Sequence, residues 1–144
     1  MKLHPPSIAI FLVPLIVFGL GGCSASNDDA APALESARLK VTRELSRIDL
    51  ELKRAADRLG SSGLIGTGAR AALDTLYNAL PYAVDCAAVD SAGRMVTIEP
   101  ASYRHFEGGD ISNQEQVKRM LEKRNPVMSG AFLTVEGIEA TDVE

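Results

Sequence analysis

Histidine and cysteine are scarce: the 144 residues hold two of each. His4 lies before the main apolar run, so His105 stands alone in the rest of the chain. One histidine excludes a His-based zinc cluster and leaves few ligands for a transition metal. The acids show no EF-hand spacing, and no serine sits in a nucleophile elbow. The glycine-rich stretch 60–68 follows no strand pattern and precedes no Lys-Ser or Lys-Thr, which rules out a phosphate-binding loop. These absences argue against an enzyme and imply no metal or cofactor. Carboxylates are plentiful, but sequence spacing does not fix which of them meet. Positive charge is also in short supply. The 15 Lys and Arg face 19 Asp and Glu, a net charge of −4. No basic excess is available to neutralise phosphates, so nucleic acid is not the expected partner. The main hydrophobic run, residues 8–20, falls short of the ~20 apolar residues of a spanning helix, and Pro14 interrupts it.

That run ends in Leu20, Gly21, Gly22 and Cys23, and Lys2 supplies positive charge ahead of it. Small residues before a cysteine, after an apolar core, form a lipobox-like export signal. Cleavage before Cys23 and lipid on its sulfur would make residues 1–22 a leader. The product would be an extracytoplasmic, membrane-anchored lipoprotein. Cys86 would then be the only thiol. In an apolar run it reads as a small buried hydrophobe rather than a nucleophile.

Residues 23–32 are small, polar and acidic and read as a flexible tether. Residues 33–144 are long enough for one domain. A long helix is predicted over 34–59, with apolar residues at Leu34, Val41, Leu45, Ile48, Leu52, Ala55 and Leu59 in three-four alternation. This seam has two destinations: a sheet face, or a second copy in a short coiled coil and hence a homodimer. A second helix is predicted over 69–80, stopped by Pro81. Residues 86–89 and 94–99 read as a β-hairpin closed by Pro100. A loop over 101–109 leads to a helix opened by a capping box, Ser112 to Glu115. That helix ends at Asn125 and Pro126. Strands are predicted over 127–135 and 138–143.

The order of these elements resembles the extracytoplasmic Cache sensor domain, a PAS-like module. The motifs are a long helix, then CAAVDSAGRMVTIEP, then EGGDISNQEQV entering a helix, then RNPVMSGAF leading into a strand. The resemblance implies an α+β fold: a long N-terminal helix, then an antiparallel sheet covered by a helix. It also implies five strands in the order 2-1-5-4-3. Only four are found here, so the sheet is expected to be incomplete, with residues 33–144 a partial Cache-like domain.

The resemblance further implies binding of a small molecule, such as an amino acid or a carboxylate, and transmission of its presence to a membrane signalling partner. Tyr103 and His105 border the expected pocket. Arg124 offers a planar fork for a carboxylate. Ser129 and Phe132 fall on opposite faces of one strand, so at most one of them faces a ligand. The alternative is a structural lipoprotein whose incomplete sheet pairs with a partner protein.

Overall fold

A computed structural model describes residues 7–12 and 27–143. The lipobox residues 20–23 lie outside the described residues. The elements are β1 (Ser7–Leu12), α1 (Asn27–Ser62), α2 (Thr67–Ala79), β2 (Ala83–Val89), β3 (Met95–Glu99), a 3-10 helix (Ala101–Phe106), α3 (Glu115–Lys123), β4 (Phe132–Leu133) and β5 (Glu139–Val143). The fold is α+β, as the resemblance implies. Among the described residues no helix is long and apolar enough to cross a membrane.

The long helix starts earlier than its apolar seam. Residues 27–32 of the expected tether are its first turns. At 36 residues α1 spans about 54 Å. The seam splits into two halves. Ile48, Leu52, Ala55 and Leu59 are buried against Ala69, Leu73, Leu76 and Leu80 of α2 and its C-terminal end, whereas Leu34, Val41 and Leu45 are exposed. Both helices lie on one face of the sheet, against Cys86 and Ala88 of β2.

The sheet order is β3-β2-β1-β5-β4, with every neighbouring pair antiparallel. The hairpin β2–β3 and the hairpin β4–β5 leave a gap between β2 and β5. Ser7–Leu12 fills it, inside the run read from sequence as a leader. The two hairpins alone are thus an incomplete sheet, and the N-terminal segment supplies the middle strand.

The β2–β3 turn needs a glycine at position 93. Its φ is +78°, and a Cβ there would meet the Ser112 backbone at 2.6 Å. Opposite β2, the edge of β3 is covered by the 3-10 helix and the loop after it. Met95 and Gly108–Gly109 exchange backbone hydrogen bonds, and the Ile98 amide donates to Glu107 Oε1 at 2.9 Å.

Two sequence expectations are corrected. The Ser112 capping box does not form. The Ser112 amide donates to Asp110 Oδ1 at 3.0 Å instead, and α3 starts later with no side-chain cap. A local Asx turn has won the donor that the cap needed. The strand expected over 127–135 shrinks to Phe132–Leu133 plus a single bridge, Met128 to Val143. At Ser129 the hydroxyl oxygen, not the main-chain carbonyl, accepts from the Asp142 amide at 2.9 Å. The side chain has replaced one rung of the ladder.

Candidate functional site

The second face of the sheet carries a different set of side chains. Ala87 and Val89 of β2, Met95 and Ile98 of β3 and Ala140 of β5 form an apolar layer with Ile111 and with Val117 of α3. Two acids are set into this layer. The strand register places Asp85 of β2 and Asp142 of β5 opposite the same position, residue 11 of β1. Residues directly opposite share a face. Asp85 and Asp142 therefore stand in one row, two strand spacings or roughly 10 Å apart along the sheet. Both are fully buried.

The surroundings of the two acids differ. Asp142 Oδ2 accepts from Gln116 Nε2 at 3.3 Å, and Gln116 is itself buried on α3. Asp85 has no hydrogen-bond partner for either carboxylate oxygen among the described residues. The same is true of Glu136, half-buried in the β4–β5 turn. Burial pushes the Asp85 carboxyl up to about 8, helped by the nearby charges of Glu136 and Asp142. At neutral pH Asp85 thus holds its proton. A buried polar group without a partner is rare, because it forfeits the hydrogen bonds it makes with water. Among the described residues no cluster of three or more His, Cys, Asp or Glu could hold a metal ion.

The residues singled out from sequence scatter around this niche. Ser129 is tied to the Asp142 backbone, at the edge of the acid row. Tyr103 and Phe132 are half-buried and pack against the apolar layer. His105 is exposed, with its ring 4.0 Å from that of Phe106. Arg124 is exposed at the left-handed C-terminus of α3. The structure brings Ser129 to Asp142, sets Tyr103 and Phe132 against the apolar layer, and leaves His105 and Arg124 exposed. Sequence reasoning missed Asp85, Gln116, Glu136 and Asp142. A signal for the first was present: Asp85 is the one charge in the strand AVDCAAV.

The α1–α2 face handles buried charge by pairing it. Arg104 Nη2 donates to both Glu99 oxygens, at 2.6 and 2.8 Å. Arg70 reaches Glu99 at 3.4 Å and makes a two-pronged contact with Glu107 at 2.9 and 3.1 Å. The Arg70 hydrogen bonds hold the Glu107 carboxyl below the usual range. Thr97 donates to the Leu64 carbonyl at 2.7 Å. This network ties α2, β3 and the 3-10 helix together. An open groove of about 570 Å³ lies between α1 and α2, lined by exposed residues such as Asp57, Arg58 and Thr75. It has no buried polar group aimed into it among the described residues.

Comparison with known proteins gives two findings. Residues 43–144 match the family described as "HK/GC/Chemotaxis protein-like, sensor domain". The chain is also similar to a solved structure, an extracellular ligand binding receptor from Desulfohalobium retbaense DSM5692. The TM-score is 0.73 and the identity 30%, over 83% of this chain and 25% of that one. The chain thus spans a quarter of that receptor's length. No curated protein matches it.

Proposed function

The chain belongs to the HK/GC/chemotaxis protein-like sensor domain family, and from that premise we propose that it senses a small extracytoplasmic metabolite carrying a positively charged group. An amino acid or another amine fits best. The observation that carries this reading is Asp85, an acid buried on the α3 face with no donor among the described residues. An ammonium group would supply the missing donors and the missing charge. Gln116 and Asp142 would hold polar groups beside it, and Tyr103 and Phe132 would form the apolar wall. The likeness to an extracellular ligand-binding receptor supports the location and the role. The arrangement of the two hairpins, β3-β2 on one side of a middle strand and β5-β4 on the other, supports the Cache-type architecture, although the middle strand comes first in the chain where that order places the last.

Three further parts of the reading rest on sequence. The chain is anchored through lipid on Cys23. The exposed half of α1 pairs with a second copy through Leu34, Val41 and Leu45. The ligand shifts a population of conformations, which α1 passes to a membrane signalling partner. The function is non-enzymatic, consistent with the sensor family.

The test is a thermal melt of the full chain against amines, amino acids and carboxylates that lack an ammonium group. A ligand that binds only the folded state raises the melting temperature. Compounds with an ammonium group are expected to do so, and Asp85→Asn to lose the effect. A shift produced only by simple carboxylates would overturn the assignment. Proton linkage gives an independent check. Asp85 is protonated below about pH 8, so a bound cation must displace that proton. Affinity should rise up to tenfold per pH unit below about 8 and level off above it. A ligand that accepts a hydrogen bond from the neutral acid would show the opposite trend.

A further inference from the structure

We propose that residues 101–109 are a strap that opens and closes the way to Asp85, and that α2 latches it from the opposite face of the sheet through Arg70. This rests on reading Asp85 as the ligand contact, and it adds how a ligand enters and what its entry moves.

Asp85 is fully buried. A ligand reaches it only when a covering element moves aside. The strap starts next to it. Cys86 of β2 lies opposite Glu99 of β3, so the next residues outward are Asp85 and Pro100, where the strap leaves β3. That register belongs to the β2–β3 hairpin alone.

The strap touches both faces of the sheet. Tyr103 and Phe106 are half-buried against the apolar layer on the α3 face. Arg104 and Glu107 serve the other face. Arg104 Nη2 donates to both Glu99 oxygens, and the Glu107 carboxylate accepts from Arg70 at 2.9 and 3.1 Å. Lifting the two rings therefore breaks the contact with α2. Access to Asp85 and the hold on Arg70 are one equilibrium, and each biases the other.

The strap is also the cover most easily lifted. No residue of its 3-10 helix is buried. Arg70 and Arg104 are partly exposed, so water takes over their broken contacts. At its far end Gly108 has a φ of +88° and open space where a Cβ would stand, which leaves the backbone free to turn. The other cover, α3 and the segment after it, is pinned to β5. Val117 is fully buried, Gln116 donates to Asp142 Oδ2 at 3.3 Å, and Ser129 exchanges two hydrogen bonds with Asp142, both of 2.9 Å. Segments with few buried contacts open while the core stays folded.

The test follows access to position 85 without any ligand, so it fails separately from the thermal melts. The full chain carrying Asp85→Cys and Cys86→Ala is treated with methyl methanethiosulfonate, and modification at position 85 is read by mass spectrometry of its peptide. Adding Arg70→Ala should speed modification about tenfold, through loss of a two-pronged charge-assisted contact. Adding Ser129→Ala should leave the rate unchanged. A second readout needs no change at Asp85. In Arg70→Ala alone, the amides of Met95, Ile98 and Gly108, which the strap bonds or covers, should exchange faster, while residues 73–76 of α2 stay protected. Acceleration by Ser129→Ala and not by Arg70→Ala would place the entrance elsewhere and overturn the proposal. So would unchanged rates in Arg70→Ala, or rates that rise only in step with exchange at residues 73–76, the mark of a fold merely destabilised.

Discussion

The two faces of the sheet bury their charges in opposite ways. On the α1–α2 face Glu99 meets two guanidinium groups and Thr97 meets a carbonyl. On the α3 face Asp85 meets no donor among the described residues, and a second acid stands in its row. A polar group with all its partners inside the protein holds the fold together. One whose partners are missing costs the fold its lost hydrogen bonds with water. The pH signs separate the faces as well. Glu107, held below its ordinary value by Arg70, contributes stability that is lost as pH falls through its folded-state value. Asp85, pushed up to about 8, keeps a proton that the unfolded chain gives up near 4. Its burial therefore lowers stability as pH rises from about 4 to about 8.

The sharpest way to break this contrast is Asp85→Asn. We expect a loss of ligand affinity of about a hundredfold, on the order of 3 kcal/mol for a charge-assisted hydrogen bond, measured by calorimetry at pH 8. Glu99→Gln should leave binding unchanged. Leu73→Ala, in the dry layer behind the sheet, should cost about 3 kcal/mol in denaturant unfolding without touching the site. Glu99→Ala should cost about 1–2 kcal/mol, because Arg70 and Arg104 are partly exposed and regain water. The pH profile then sharpens the comparison. Asp85→Asn should flatten the fall in melting temperature between pH 5 and 8, and a variant that keeps the wild-type slope would refute the assignment of that slope. The smallest effect is expected at Leu45→Ala. Leu45 is 41% exposed, so monomer stability should change by less than about 0.5 kcal/mol. Val41→Asp should abolish any dimer seen in sedimentation while the melt stays cooperative.

Legibility followed the range of the interactions. The second helix, the hairpin turn at Asp90 to Gly93 and the stop at Pro100 depend on neighbours in sequence, and periodicity and turn chemistry exposed them. The start of α3 was misread because Asp110 competes for the Ser112 amide, and both outcomes are local and close in energy. The strand over 127–135 was overdrawn because Ser129 substitutes its hydroxyl for a ladder carbonyl, which no alternation pattern records. Of the candidate site, Ser129, Tyr103 and Phe132 were named from sequence, and the structure sets Ser129 beside Asp142 and the two rings against the α3-face layer. The acids were not, since Asp85 and Asp142 are brought into one row only by strands far apart in sequence.

The sequence by itself determined the α+β character, the helical seam, the hairpins and the likeness to an extracytoplasmic sensor domain. These follow from side-chain periodicity, turn residues and composition, which act over a few residues. Only the tertiary structure decided which half of the α1 seam is covered, which strand completes the sheet and which acids share one row. Each of those depends on register between distant segments, where a shift of one residue turns every side chain to the other face.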